Sequence, residues 1–256
     1  MIRVGVLGAA GRVGGEVCRA VAADPALFLA AAVDPGHAGA VVGDVEVSAS
    51  LDALLDASVE VAVDFTHPGA VMDNVRWCIA HRVHAVVGTT GISAGELEEL
   101  RALAGEGAHV LVCPNFAIGA VLMMRFAEQA ARHLPAAEIV ELHHDGKADA
   151  PSGTAIATAQ RIAAARGSEA AGAAGGDVAH PGARGADVDG IRVHAVRLPG
   201  LLAHQEVILG GPGQTLTIRH DSTDRSSFMP GVLLAIHAIA SRPGLTVGIE
   251  PLLEGP

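Results

Sequence analysis

The sequence contains few aromatic residues. Phenylalanine, tryptophan and tyrosine make up 2% of its 256 residues, with one tryptophan and no tyrosine. Proteins that bind single-stranded nucleic acid stack the bases on aromatic side chains, so this composition argues against that class. The apolar half of the chain is mostly alanine and valine, which is typical of proteins that pack helices on a sheet.

Positive charge is also scarce. Seventeen lysines and arginines stand against 28 acidic residues, and the formal net charge is −11. An acidic surface repels phosphate backbones and anionic membranes, so we expect neither nucleic acid nor a membrane as a partner. An anionic substrate or cofactor would need the few basic residues to be concentrated at its site.

Cysteines are few, and long apolar runs are missing. The 3 cysteines, Cys18, Cys78 and Cys113, are far apart in apolar contexts, so we expect reduced core residues and neither disulfides nor a metal site. Arg125 interrupts the most apolar segment, and no run reaches the ~18 residues of a membrane helix. The N-terminal segment is too short and glycine-rich for a signal peptide. These features predict a soluble cytoplasmic protein.

The first half of the chain alternates valine-rich strands with helices. Strands are predicted over 3–8, 27–34, 58–66, 84–90 and 109–116, and helices over 11–24, 68–82 and 93–104. The helix at 93–104 opens with a capping box, Ser93 and Glu96. Such alternation indicates an α/β domain with a parallel sheet covered on both faces.

The pattern changes in the second half. Helices are predicted over 117–134 and 152–167, strands over 137–144, 191–198, 204–211 and 214–221, a loop over 168–190 and a last helix over 226–241. Consecutive strands without intervening helices indicate an α+β domain with a mixed sheet. We expect residues 1–116 and 222–256 to form the first domain, and residues 117–221 to form the second domain.

A glycine-rich loop, "GAAGRVG", lies between the first strand and the first helix and contains Gly8, Gly11 and Gly14. Glycines here allow a tight turn and close approach to a pyrophosphate, which the helix N-terminus attracts. Asp34 ends the second strand about 20 residues later, where a ribose-binding carboxylate is expected. The loop therefore predicts that the first domain, residues 1–116 and 222–256, is a Rossmann-type dinucleotide-binding domain. A plain tight turn is the alternative.

The choice between NADH and NADPH stays open. Asp34 favours two free ribose hydroxyls, whereas Arg12 could pair with a 2′-phosphate. "GTTG" (88–91) and "CPNF" (113–116) follow two other strands, and ligands of this architecture collect at such strand ends. Gly88, Thr89 and Thr90 could line the nicotinamide side, although ordinary turns would have the same composition.

The segment "ELHHDGKADAPSGTA" (141–155) combines two histidines, a lysine and a small-residue helix start. A histidine can exchange a proton near neutral pH, a lysine can bind an anion, and the helix start at Gly153 and Thr154 can hold a carboxylate. A metal pair or a solvated turn are the alternatives, and adjacent histidines are poor zinc ligands. Spacing does not choose between His143 and His144. Other histidines, such as His67, His109 and His180, are interpreted as structural or solvated.

The segment "EIVELHHDGKADAPSGTA" (138–155) resembles the signature of the 4-hydroxy-tetrahydrodipicolinate reductase family, also called dihydrodipicolinate reductase. The likeness extends over nearly the whole chain, through "GAAGRVG", "VDFTHP" (63–68), "VVGTTG" (86–91), "PNFAIG" (114–119), "PGARGADVDGIRVHAVRLPG" (181–200) and "TIRHDSTDRSSF" (217–228). The position after Asp34 is Pro35, where some relatives have an arginine for the 2′-phosphate.

The resemblance implies roles for the matching positions. His143 would be the proton donor and Lys147 the second catalytic residue, while His144, Gly153 and Thr154 would bind a cyclic dicarboxylate. The residues expected to contact NADH or NADPH are Gly8, Ala9, Ala10, Gly11, Arg12, Val13, Asp34, Gly88, Thr89, Thr90, Cys113, Pro114, Asn115 and Phe116. Family members are typically homotetramers built through the sheet of the second domain.

The function that the resemblance implies is NAD(P)H-dependent reduction of 4-hydroxy-tetrahydrodipicolinate to tetrahydrodipicolinate in lysine and diaminopimelate biosynthesis. Two other functions compete with it. A different small-molecule dehydrogenase would share the glycine loop but lack the segment with His143, Lys147 and "PSGT". A non-catalytic nucleotide sensor would bind the dinucleotide without needing His143 or Lys147.

Overall fold

Two sheets organise the chain in the computed structural model, which describes residues 1–105, 107–166 and 179–254. The contacts divide the chain into two units. The first comprises Met1–Ala117 together with the chain from Arg225 onward, and the second comprises Ile118–Asp224. The eight-stranded sheet belongs to the first unit and the five-stranded sheet to the second.

The strands are two to nine residues long, and every strand of the first sheet contains valine. They are β1 (Ile2–Leu7), β2 (Leu27–Val33), β3 (Val41–Val42), β4 (Val45–Ser48), β5 (Val61–Asp64), β6 (His84–Val87), β7 (Val110–Val112), β8 (Ala136–His143), β9 (Ala186–Val188), β10 (Ile191–Arg197), β11 (Ala203–Gly211), β12 (Gln214–Ser222) and β13 (Leu245–Val247).

The α-helices lie between the strands. They are α1 (Arg12–Ala23), α2 (Asp52–Asp56), α3 (Pro68–Ala80), α4 (Ala94–Leu103), α5 (Ile118–Ala131), α6 (Gly153–Arg166), α7 (Met229–Ala238) and α8 (Glu250–Leu253). The predicted capping box of α4 is present, because the Ser93 side chain accepts a hydrogen bond from the backbone N–H of Glu96 while the Glu96 side chain accepts one from that of Ser93.

The first sheet has the strand order β13-β7-β6-β5-β1-β2-β4-β3, and all its pairs are parallel except β3 with β4. All four residues of β5 are buried, as expected for a strand with helices on both faces. Strand β1 lies between β2 and β5, so later strands are added first on one side of β1 and then on the other, and the strand order reverses at β1. The crevice beyond such a switch point is where these folds bind ligands.

The second sheet has the order β12-β11-β8-β10-β9. Strands β8 and β10 are parallel, whereas β8–β11, β11–β12 and β9–β10 are antiparallel, so the predicted mixed sheet is confirmed. Helices α5 and α6 cover one face, where Ile139, Val193 and Val207 are buried. The alternate residues of the same strands lie on the other face, because neighbouring strand residues point to opposite sides.

Several elements differ from the sequence predictions. Residues 35–57 contain β3, β4 and α2, and the C-terminal segment contains β13 and α8; none of these was predicted. Strand β9 lies within the predicted loop at 168–190, because the turn at Asp189–Gly190 pairs it with β10. Residues 167–178 lie outside the described residues. The last predicted helix, 226–241, is α7 between two short 3₁₀ turns.

Candidate active site

The glycine loop after β1 is held close to its neighbours. Gly8 has a φ of +75°, and a Cβ there would lie 2.5 Å from the carbonyl oxygen of Phe65. A Cβ at Gly14 would lie 2.0 Å from the oxygen of Gly8, so neither position accepts a side chain. Gly11 caps α1 without a side-chain hydrogen bond. The start of α1 therefore presents backbone N–H groups that fit a pyrophosphate.

A cavity of about 400 Å³ adjoins this loop and is lined by Gly8, Gly11, Asp34, Thr66, His67 and Asn74, among others. The Oδ1 atom of Asp34 accepts a hydrogen bond from the Gly36 N–H at 3.2 Å and lies 3.0 Å from Nδ1 of His37. A carboxylate on a cavity wall beside a helix start fits the ribose and phosphates of a dinucleotide.

A buried carboxylate, that of Asp64, organises two loops beside the cavity. Its Oδ1 accepts hydrogen bonds from the N–H and hydroxyl of Thr66 and from the hydroxyl of Thr89 at 2.6 Å, while Oδ2 accepts one from Asn74. The Asp64 carbonyl oxygen accepts from the N–H groups of Gly88 and Thr89. The loops after β5 and β6 are therefore fixed to each other at the end of the sheet.

The loop after β7 is similarly constrained. Cys113 donates its Sγ hydrogen to the Asn115 carbonyl oxygen at 3.0 Å, and the Asn115 side chain accepts from the Ala117 N–H. Phe116 is buried, with its ring centroid 5.9 Å from that of Phe65. Burial raises the pKa of the Cys113 thiol to about 12. Cys113 therefore remains a protonated thiol and shapes the loop instead of acting as a nucleophile.

His143 ends strand β8 in the second unit, and its partner is the buried carboxylate of Glu141. Because residues two apart on a strand share a face, Glu141 and His143 meet: Nδ1 of His143 lies 2.5 Å from Oε2 of Glu141. Burial lowers the pKa of His143 below its ordinary value, and nearby Lys147 and Arg197 act in the same direction against the opposing charge of Glu141.

The Glu141 carboxylate has three further hydrogen bonds. Arg197 donates to both oxygens at 2.8 Å, and the Ser152 N–H donates to Oε1 at 3.0 Å. Burial alone would raise the pKa of Glu141, but the bonds from Arg197, His143 and Ser152 outweigh it and the pKa is lowered. Glu141 is therefore an ionised carboxylate beneath His143.

Lys147 lies on the loop between β8 and α6. Its Nζ donates to Oδ1 of Asp149 at 2.6 Å, and its backbone N–H donates to the carbonyl oxygen of His144. The bond from Lys147 is the main cause that lowers the pKa of Asp149. The ammonium group is thus held within the same short stretch as the two histidines.

Helix α6 begins at Gly153. The preceding residue, Ser152, is buried and its hydroxyl accepts a hydrogen bond from the Ala155 N–H at 3.2 Å. A Cβ at Gly153 would meet no heavy atom within 4 Å. Open space therefore adjoins the helix start, as a bound carboxylate would require.

Comparisons with known proteins agree along the whole chain. The family described as dihydrodipicolinate reductase, N-terminus, matches residues 2–116, and its C-terminal counterpart matches residues 119–253. The 4-hydroxy-tetrahydrodipicolinate reductase of Nocardia farcinica is 55% identical over 99% of both chains, and that of Mycolicibacterium vanbaalenii is 53% identical with the same coverage. The chain belongs to the dihydrodipicolinate reductase family.

A solved structure of the family has the same fold. Dipicolinate-bound dihydrodipicolinate reductase from Paenisporosarcina sp. TG-14 is 41% identical, with a TM-score of 0.88, and the match covers 98% of this chain and 99% of that one. The predicted family, the Rossmann-type fold class and an oxidoreductase activity are confirmed. Membership of the dihydrodipicolinate reductase family also implies binding of a nicotinamide dinucleotide.

The predicted site residues occupy the expected ends of strands and helices. In the first unit, those of the glycine loop, Asp34, "GTT" and "CPNF" all follow the carboxyl ends of parallel strands. In the second unit, His143, His144, Lys147, Gly153 and Thr154 share one stretch between β8 and α6. The part of the chain that the structure describes contains no group of three or more His, Cys, Asp or Glu that could hold a metal ion.

Sequence reasoning did not single out Glu141, Arg197, Asp64, His67 or Asn74. The strand period could have paired Glu141 with His143, and an acid ending the buried strand β5 was a signal for Asp64. Arg197 could not have been found, because only the register that places Arg197 opposite His143 brings it to Glu141. His67, interpreted as structural or solvated, is exposed and lies on the wall of the cavity.

Proposed function

We propose that this chain catalyses the NAD(P)H-dependent reduction of 4-hydroxy-tetrahydrodipicolinate to tetrahydrodipicolinate in lysine and diaminopimelate biosynthesis. The observation that carries the proposal is the stretch from His143 to Thr154, in a chain 55% identical to a reductase of that name. The dipicolinate in the Paenisporosarcina structure supports a cyclic dicarboxylate as substrate. The reaction adds one hydride and one proton to the substrate and releases one water molecule.

The nicotinamide supplies the hydride, and the residues of the chain handle protons and charge. His143 donates the proton, which suits an imidazole whose pKa is lowered by burial, since a stronger acid donates more readily. Lys147 exchanges Asp149 for a substrate carboxylate. His144 and the start of α6 at Gly153 and Thr154 bind the dicarboxylate, because a helix N-terminus stabilises negative charge.

The fourteen residues from Gly8 to Phe116 expected from the resemblance form the proposed cofactor site, and both NADH and NADPH are proposed to bind. Asp34 accepts hydrogen bonds from the ribose hydroxyls of NADH. Arg12, the exposed first residue of α1, pairs with the 2′-phosphate of NADPH.

Activity is tested by mixing the purified chain with freshly prepared 4-hydroxy-tetrahydrodipicolinate and either NADH or NADPH. We expect loss of the absorbance of the reduced nicotinamide and competitive inhibition by dipicolinate. Absence of cofactor oxidation with both dinucleotides, under conditions where a homologous reductase is active, would refute the proposed activity.

Cofactor preference is tested by comparing Kd values for NADH and NADPH. In Arg12→Gln we expect weaker NADPH binding by about tenfold, equivalent to ~1.4 kcal/mol, with NADH almost unaffected. In Asp34→Asn we expect NADPH to bind more tightly relative to NADH, because the negative charge that repels the 2′-phosphate is removed. Equal effects on both dinucleotides would contradict these roles.

We also propose a homotetramer and a cytoplasmic location. The five-stranded sheet carries partly exposed Val140, Leu142, Val196 and Ile208 on the face opposite α5 and α6. Association through this face, here called the open face, would remove those apolar side chains from water. Within the described ranges, no helix has the length and apolar character needed to cross a membrane.

A further inference from the structure

Glu141 has the environment of a group that controls another residue. It is 0% exposed and lies two residues before the end of β8, the strand that carries His143. Carboxylates are rarely buried so completely unless they are paired. Four hydrogen bonds converge on it, two from Arg197, one from Ser152 and one involving His143.

The bond to His143 determines which ring nitrogen carries a proton. An ionised carboxylate only accepts hydrogen bonds, so Nδ1 of His143 must be the protonated nitrogen in the 2.5 Å contact with Oε2. Nε2 is then the nitrogen left to exchange a proton with a ligand. This tautomer requires Glu141 to remain ionised, and the two bonds from Arg197 favour the ionised form.

The same carboxylate also holds the start of α6. Oε1 accepts the N–H of Ser152, the residue immediately before Gly153. Arg197, besides its bonds to Glu141, donates to the carbonyl oxygen of Asp149 at 2.6 Å. Glu141 and Arg197 therefore make hydrogen bonds to three segments of the site: the end of β8, the Lys147–Asp149 loop and the start of α6.

We propose that Glu141 and Arg197 are positioning residues of the reductase: Arg197 keeps Glu141 charged and fixed, and Glu141 sets the tautomer and orientation of His143 while holding the helix start that binds a substrate carboxylate. The inference rests on the proposed function for its kinetic consequences. Its structural content, the tautomer of His143, is independent of that function.

The first test uses the unaltered chain labelled with ¹⁵N in its histidines. Comparison with His143→Gln assigns the His143 ring signals. We expect the neutral ring to carry its proton on Nδ1. A neutral ring with its proton on Nε2 would overturn the proposal, whether or not the chain reduces the substrate.

The second test compares Glu141→Gln with the unaltered enzyme. We expect kcat to fall by about 10- to 100-fold, part of the ~10²–10⁴-fold that acid–base catalysis contributes. Removing the negative charge of Glu141 destabilises the imidazolium, so the fall of kcat/KM with rising pH should move to lower pH. The Nδ1–H form of His143 should lose its dominance.

Controls separate positioning from general loosening of the fold. Arg166→Met removes hydrogen bonds at the other end of α6, to the carbonyl oxygens of Pro135 and Gly190, and should lower stability without moving the pH profile. Arg197→Lys keeps the positive charge but loses the bidentate hydrogen bonding to Glu141. It should reproduce part of the fall in kcat and of the pH shift expected for Glu141→Gln. An active unaltered enzyme with an unchanged pH profile in Glu141→Gln would refute the inference while leaving the proposed function intact.

Discussion

The two catalytic side chains proposed here have very different carboxylate partners. His143 contacts Glu141, which is fully buried, whereas Lys147 contacts Asp149, whose side chain is 57% exposed. The Lys147 side chain is 22% exposed, so the pair is only partly shielded from water. Water screens such a pair and weakens it, which lets Lys147 exchange Asp149 for a substrate carboxylate. His143 is held in one orientation, and Lys147 is available to a ligand.

Replacing His143 by Gln tests its role as proton donor. We expect kcat to fall by about 10²–10⁴-fold, because glutamine cannot supply a proton, while Kd for NADPH stays nearly unchanged. Steady-state kinetics and equilibrium titration measure the two quantities. A Kd that weakens as much as kcat would assign His143 to cofactor binding instead.

The pH dependence of the unaltered enzyme follows from the same residue. The donor must be protonated, and the pKa of His143 is lowered by burial. We therefore expect kcat/KM to fall as pH rises, with a midpoint below the ordinary imidazole value of about 6.5. A profile without such a fall in the unaltered enzyme would contradict proton donation by His143.

The space beside Gly153 allows a test of substrate contact. A methyl group there meets no protein atom, so Gly153→Ala should retain stability, yet it would project towards the bound carboxylate. We expect KM to rise about tenfold, or ~1.4 kcal/mol. Gly95→Ala, also in open space at the start of a helix, α4, is the matched control and should leave KM unchanged.

At the scale of elements, short buried strands are followed by loops that carry the residues proposed to bind the cofactor. Strands β5, β6 and β7 end at Asp64, Val87 and Val112, two to four residues before their predicted ends. The hydrophobic pattern continues into the loops because residues such as Cys113 and Phe116 are also buried. The loops after β5 and β6 are held in place by hydrogen bonds to Asp64 as well as by strand pairing.

Asp64→Asn tests this coupling of loops. An amide cannot accept all the hydrogen bonds that the carboxylate does, so we expect a loss of about 1–3 kcal/mol in unfolding free energy and weaker dinucleotide binding. Denaturant unfolding and Kd measurements check both. Asp73→Asn, an exposed neighbour on α3, should change stability by less than about 0.5 kcal/mol. Unchanged cofactor affinity in Asp64→Asn would contradict the coupling.

At the scale of the whole molecule, the sheet of the second unit has two different faces. Gln205 bonds to Thr158 of α6 on one face, whereas Ile208 lies on the open face with Leu142 and Val140. Apolar residues left partly exposed on a sheet are typical of a surface that associates with another copy.

Ile208→Asp tests association through the open face. A buried charge at a subunit interface is costly unless it is paired, so we expect the tetramer to dissociate into smaller species, measured by light scattering during size-exclusion chromatography. Phe126→Asp, which replaces an exposed apolar residue of α5, should leave the mass unchanged. A monomeric unaltered chain would refute the proposed tetramer.

Local patterns in the sequence were sufficient for much of this protein. The period of apolar residues predicted the alternating strands and helices, the glycine loop predicted the dinucleotide binding that the family implies, and the segment around His143 carried the family resemblance. Short-range geometry explains this success, because a βα turn, a capping box and a helix start each depend on residues close together in the chain.

Only the tertiary structure decided which distant residues meet. The pairing of β8 with β10 brings Arg197 to Glu141, and the end of β5 brings Asp64 to Thr89 and Asn74. Short elements such as β9 and β13 form because a neighbouring strand completes their hydrogen bonds. Strand register and burial arise from packing over long sequence separations, which a local pattern does not contain.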